Sequence, residues 1–290
     1  MALYCKSIQE LTVEDNDSTN GDALVDLIKV QKDLCRFTIR DWWGCLVNIV
    51  QALTAQVDTL VYVEIYGCHF YELVDDSRTF EGLTSCVNLE TLKIEECYNI
   101  TSEIMQPLAT TVLPKLKTLY FSNFMFPDED NSSPHLELTA MIQNMNSNLE
   151  QLRLNMDLDS YPEIIQTCAK NCPNLTYFKA KIQNYDEINQ LLVLIENCRK
   201  LVTLEILSEK WDFENDREDG RLGRNDYGLP LLPLEFFPYM AQLTPSTLKY
   251  LEIDGWTCTP MELEIFLTSC KARLKKMSLM CFKNSKDYLE

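Results

Sequence analysis

A chain of 290 residues with 46% apolar content has material for a sizeable core, while a formal charge of -18 and a pI near 4.5 work against nucleic acid and anionic lipid. Both of those partners need Lys and Arg set against phosphate. No stretch reaches the ~18 apolar residues of a membrane span, and the opening Met1-Ala2-Leu3-Tyr4-Cys5-Lys6 lacks the apolar run of a secretory leader.

Eight glycines and two histidines leave little for phosphate-cradling loops or histidine acid–base chemistry. Twelve cysteines spread through a core-rich chain with no export signal read as reduced, buried thiols rather than a disulfide framework. The expectation is a cytoplasmic protein, nuclear as well in the alternative, with no catalytic residue, no cofactor and no metal ligand, whose partner is another protein.

Taken in chain order, a six-residue template with apolar residues at its first, fourth and sixth positions recurs in one register. It begins with Ile8-Gln-Glu-Leu11-Thr-Val13 and is followed by the helical spacing Leu24, Leu27, Ile28. The copy at Leu34 is followed by Leu46, Ile49, Val50 and Leu53, and further copies start at Leu60, Leu89 and Leu116. Between Leu116 and Leu149 lies Pro127-Asp-Glu-Asp-Asn-Ser-Ser-Pro134, which reads as a polar loop at one rim. After the copies at Leu149 and Leu175 comes the helical set Ile188, Leu191, Leu192 and Ile195, and Pro162 supplies a first-turn proline ahead of Leu175.

The copies at Leu201 and Leu248 enclose a charged insertion, about 208–232, containing Trp211 and Phe213. It reads either as a solvated loop or as an element that touches a partner. Thr259-Pro260 then caps a stretch with Leu263, Phe266 and Leu267 before the tenth copy at Leu274. Both ends read as lacking a polar cover, with the first strand close to Met1 and the last copy close to Glu290.

The ten starts are separated by 26, 26, 29, 27, 33, 26, 26, 47 and 26 residues, a regularity that independent apolar clusters would not produce. Within each copy the alternation puts positions four and six, Leu92 and Ile94 for example, on one face of a short strand, with Thr91, Lys93 and Glu95 on the other. A unit of this size cannot bury its apolar face alone, so the units should stack, their strands forming a parallel sheet and their helices covering its other side. Removing one stacked side chain, as in Leu152→Ala, should cost about 2–5 kcal/mol.

Several units carry Cys-x-x-Leu ahead of the strand, at Cys86–Leu89, Cys172–Leu175 and Cys198–Leu201, and the unit at Leu89 continues with Cys97 and Asn99-Ile100-Thr101. In this the chain resembles the cysteine-containing leucine-rich repeats of the F-box/leucine-rich-repeat family. The resemblance implies an α/β leucine-rich-repeat solenoid, a horseshoe of about ten strand–helix repeats filling residues 1–290 as a single domain. Its parallel sheet would lie on the concave face and its helices on the convex face.

It also implies a scaffold like the substrate-recognition part of an SCF-type ubiquitin ligase, with a protein substrate or peptide on the concave face. Skp1/cullin would join only through an F-box outside this chain. The segment Leu229-Pro230-Leu231-Leu232-Pro233-Leu234-Glu235-Phe236-Phe237 reads as a loop entering a repeat helix rather than as that F-box. The alternative function is a stand-alone interaction module with no ubiquitin role. A GTPase-activating solenoid would need an arginine or asparagine loop signature, and none is recognisable.

On the open strand positions tyrosines recur, and Arg153, Lys179 and Lys181 are expected on neighbouring strands about 4.8 Å apart as a basic patch. Tyr62, Tyr66, Tyr120, Arg153, Tyr177, Lys179 and Lys181 are therefore the candidate partner-binding residues, suited to acidic or phosphorylated segments. The other reading of these positions is simply a polar, solvated face. His69 and His135 have no nucleophile or metal motif beside them, and Cys168 with Cys172, four apart on a helix face, lacks a second pair at zinc spacing.

Overall fold

The computed structural model describes residues 5–14, 21–70, 76–124, 134–145, 147–156, 162–182, 184–208, 232, 235–256 and 258–279. They belong to two compact units, Met1–Leu158 and Asp159–Glu290.

In the first unit six strands pair in parallel and in chain order: β1 Glu10–Glu14, β2 Arg36–Arg40, β3 Tyr62–Tyr66, β4 Thr91–Tyr98, β5 Thr118–Phe124 and β6 Gln151–Met156. Each starts two residues after a template start, and the register lines the template positions up in columns. Phe37, Val63, Leu92, Leu119 and Leu152 form one column, and Ile39, Ile65, Ile94, Phe121 and Leu154 the next. Every member is buried, at 5% exposure or less, while Leu11 and Val13 on β1 are half-buried.

The second unit repeats the arrangement with β7 Tyr177–Lys181, β8 Thr203–Leu207, β9 Tyr250–Asp254 and β10 Lys276–Leu279. Phe178, Leu204 and Leu251 align there with half-buried Met277.

Helices α1 Gly21–Lys29, α2 Val47–Ala52, α3 Ser102–Ala109 and α4 His135–Asn144 belong to the first unit, and α5 Pro162–Asn171, α6 Tyr185–Asn197, α7 Phe236–Leu243 and α8 Pro260–Ser269 to the second. The predicted faces of α2 and α6 pack inward through Ile49, Val50, Ile188, Leu191 and Ile195. Pro162 opens α5, and Thr259 caps α8 in a reciprocal box with Glu262. Two predicted positions differ. On α8 Phe266 is buried but Leu267 is 57% exposed. Between β3 and β4 the covering segment is a 3-10 turn, Asp76–Leu83, in place of an α-helix. Gly82 of that turn lies against the Val50 carbonyl of α2, so the chain passes too close for a wider helical cylinder.

Parallel strands, stacked apolar columns and a helix or turn per repeat make each unit an α/β leucine-rich-repeat solenoid.

Cys-x-x-Leu owes its form to a turn. The amides of Leu89, Leu175 and Leu201 donate to the carbonyls of Cys86, Cys172 and Cys198 at 3.0, 3.2 and 3.1 Å. Leu116 and Leu248 close the same turn on Leu113 and Pro245, so the geometry does not require cysteine; the thiol is a small side chain that fits beneath it.

In four repeats the residue just before the first apolar position ties the repeat to its predecessor. Thr59 Oγ1 donates to the Leu34 carbonyl, Asn88 Nδ2 to Asp58, Asn148 Nδ2 to Pro114 and Thr247 Oγ1 to Leu201, at 2.7–2.9 Å. Asn148→Ala should therefore lower stability by about 0.5–1.5 kcal/mol in urea unfolding, with no change in far-UV circular dichroism.

Just after β2, β3 and β9, at Asp41, Gly67 and Gly255, and within β4 at Glu96, where the register shifts, the backbone turns through positive φ and carries the next residue, Trp42, Cys68, Trp256 or Cys97, into the core. The insertion with Trp211 and Phe213, the residues between Pro127 and Pro134 and most of 229–234 lie outside the described residues. Phe236 and Phe237 open α7 with both rings buried.

Candidate interaction face

Side chains at the alternate strand positions form an open face on each unit. In the first unit the register sets them in rows: Tyr62, Thr91, Thr118 and Gln151 in one, and Glu64, Lys93, Tyr120 and Arg153 in the next. Tyr62, Tyr66, Tyr120 and Arg153, all predicted for the site, are half-buried there. Tyr177, Lys179 and Lys181 are half-buried on β7 of the second unit.

At the centre of the first face the predicted tyrosines join a network with Arg36, Arg40, Glu64 and Lys93, which the predicted set leaves out. Arg40 Nη2 donates to Glu64 Oε1 at 2.6 Å, and the Tyr62 hydroxyl donates to Glu64 Oε2. Arg36 lies over the Tyr62 ring at 3.9 Å. The Lys93 ammonium lies 5.6 Å from the Tyr62 ring centre and 5.0 Å from that of Tyr120, with Glu64 Oε2 at 4.0 Å. Tyr120 donates its hydroxyl proton to Gln151 Oε1 at 2.9 Å, and Tyr66 donates to Glu96.

Two of the cations expected to form a basic patch are engaged by carboxylates. Arg153 Nη1 pairs with Glu95 at 2.8 Å, and Lys179 Nζ with Glu205 at 2.8 Å. Opposite charges at register-paired positions give a signal, once the strands are aligned, for the Lys179–Glu205 pair and for the approach of Lys93 to Glu64, and none for Arg153 with Glu95, which lie two strands apart. On the strand positions of the first unit's open face four cations, Arg36, Arg40, Lys93 and Arg153, stand against Glu10, Glu14, Glu64 and Glu95. A chain of net charge -18 thus keeps this face close to balance, with Glu96 at its rim.

The two central carboxyls titrate in opposite directions. Burial pushes Glu64 upward, but the hydrogen bonds from Tyr62 and Arg40 and the charges of Arg40 and Lys93 outweigh it, holding its pKa below the ordinary value. Burial dominates at Glu95 and raises its pKa despite Arg153 and Lys93. Tyr66 is raised to about 12 by its bond to Glu96.

A depressed carboxyl stabilises the fold above its unfolded pKa and loses that contribution as pH falls through its folded value. Glu64→Gln should therefore destabilise at pH 7, and the gap to wild type should narrow below pH ~4, as read from urea midpoints at both pH values.

His69 is stacked between Trp43 and Tyr98, ring centres 4.3 Å from each, and burial lowers its pKa. This is the setting of a packed, neutral imidazole. Cys168 and Cys172 are buried, and among the described residues no three His, Cys, Asp or Glu side chains are grouped to hold a metal ion.

Burial raises the thiols of Cys86 and Cys198 to about 11 and about 12, and those of Cys97 and Cys168 also upward, which removes thiolate character at neutral pH. Iodoacetamide on the native protein should label Cys5 and Cys45, which are exposed, and leave Cys68, Cys86, Cys97, Cys168, Cys172 and Cys198 unlabelled until urea is added. Among the described residues no helix is long and apolar enough to cross a membrane.

No family model and no curated protein matches the chain. Among solved structures it is similar to an internalin from Listeria monocytogenes, with 13% sequence identity and a TM-score of 0.43, over 91% of this chain and 70% of that one. At that level of likeness the functional reading rests on this chain's own residues.

Proposed function

We propose that the protein is an interaction scaffold that holds a segment of another protein on its open strand faces. One observation carries this reading: Tyr62, Tyr66 and Tyr120, with Tyr177 on the second unit, are half-buried on regular strands, and ion pairs hold Arg40 and Arg153 in place on the face of the first three. Tyrosines held this way offer large contact area at little cost in side-chain entropy, and charges already oriented need no reordering when a partner arrives.

The finer reading is a substrate-recruiting scaffold of the F-box/leucine-rich-repeat type, working in the cytoplasm or nucleus, where reduced thiols persist. What supports it is the Cys-x-x-Leu signature of the repeats. A stand-alone interaction module is the other reading.

Two experiments separate these possibilities. Tyr62→Ala with Tyr120→Ala, and separately Arg153→Glu with Lys179→Glu, should each release a captured partner while the variant stays folded by far-UV circular dichroism at the assay temperature; full retention by both variants would contradict binding on the open faces. Co-purification of the native protein with Skp1 and a cullin would support the ubiquitin-ligase role, and its failure would favour the stand-alone module.

A further inference from the structure

The cations at the centre of the first unit's open face are unequally satisfied. Arg40 has Glu64 Oε1 at 2.6 Å, and Arg153 has Glu95 at 2.8 Å. Lys93 has neither. Its nearest carboxylate oxygen, Glu64 Oε2 at 4.0 Å, already accepts the Tyr62 hydroxyl, and the ammonium, on a side chain only 25% exposed, makes no hydrogen bond among the described residues. It faces ring surfaces instead, with Tyr62 on one side and Tyr120 on the other.

The register then places Lys93, Tyr120 and Arg153 side by side on β4, β5 and β6. The two cations are therefore two strand spacings apart, about 9.6 Å at the backbone, with the tyrosine ring between them. Arg153 is also underused, for its Nε is buried without a hydrogen-bond partner.

On this geometry, and resting on the reading of the open face as a binding surface, we infer that Lys93 and Arg153 form an anion subsite above Tyr120. Its occupant is an acidic side chain, a carboxylate or a phosphoryl group, carried by an extended segment of the partner protein. The charge complementarity is local. The ring face supports the apolar stem of the incoming residue, Lys93 supplies an ammonium that makes no hydrogen bond among the described residues, and Arg153 closes the other side while keeping Glu95. An anion there completes the ammonium's hydrogen bonds in a partly desolvated position, where a charge-assisted bond is stronger than at an exposed surface. An uncharged isostere would leave those donors unmet.

The test uses the full chain and short peptide pools, uncharged and degenerate except for a fixed central residue: glutamate, phosphoserine, glutamine or serine. In fluorescence polarisation the glutamate and phosphoserine pools should bind wild type about tenfold more tightly than the glutamine and serine pools. Lys93→Met, which keeps the apolar stem between the two rings, should abolish that preference, and Arg36→Met on the same face should retain it, both with native far-UV circular dichroism at the assay temperature.

Equal binding of the glutamate and glutamine pools, or a preference that survives Lys93→Met, overturns the subsite. If pools bind without acidic preference yet lose affinity in Tyr62→Ala, the binding face stands and the subsite alone falls. If inorganic phosphate by itself binds as tightly as the phosphoserine pool, the occupant is a free anion and the assignment to a partner segment fails.

Discussion

Leu119→Ala should destabilise the protein by about 2–5 kcal/mol, read as a fall in the urea midpoint. Leu119 is fully buried on β5, with Leu92 and Leu152 beside it in the register. Its neighbours belong to strands locked on both sides by parallel ladders, so they can close only part of the cavity left behind, and the loss includes both the transfer and the cavity contributions. Leu11→Ala makes the same chemical change at a half-buried position on β1, which has a described neighbour on one side only, and should cost markedly less. Equal costs at the two positions would mean that the apolar columns are not what holds the stack.

Gly82→Ala should cost about 1–3 kcal/mol or more, for the opposite reason. A methyl group at this position would fall on the Val50 carbonyl oxygen and lie 2.7 Å from Gln51 Cα, both backbone atoms of α2. No side chain can rotate away to make room, so the 3-10 turn and α2 must separate, opening the packing around Phe80 and Leu83. Thermal unfolding checks it: a midpoint within a degree or two of wild type would show that the contact is looser than the structure has it. Gly67→Ala and Gly255→Ala add backbone strain to crowding, since both glycines lie at positive φ and the new Cβ would meet Asp41 or Ser208.

The fold was legible in the sequence because the template reports a physical period. A strand that buries one face must alternate, and a repeat that stacks must return at a near-constant interval, so the ten strand positions could be read from Leu34, Leu89 or Leu248 as they stand. The open-face residues were legible as positions, for the same alternation placed Tyr62, Tyr120 and Lys179 on one side.

What could not be read was pairing. Arg153 bonds Glu95 across the intervening strand β5, a contact that depends on register and side-chain reach together. Lys93 counted as one more polar strand residue until the rings of Tyr62 and Tyr120 were placed around it. The 3-10 turn at Asp76–Leu83 was hidden for a related reason: it answers to the closeness of α2 through Gly82, a tertiary demand that local propensity does not record. The same holds for Thr59, Asn88, Asn148 and Thr247, whose side chains read as ordinary turn polars and act as ties between successive repeats.

The most direct test of the interaction-scaffold reading is site-specific photocrosslinking in cells that make the protein. A benzophenone amino acid would replace Tyr120 or Tyr177 on the open faces, and, in parallel, exposed Val193 of α6 or Tyr239 of α7. Discrete protein adducts from the two strand positions, and none from the two helix positions, are the predicted result; adducts confined to the helices would contradict it.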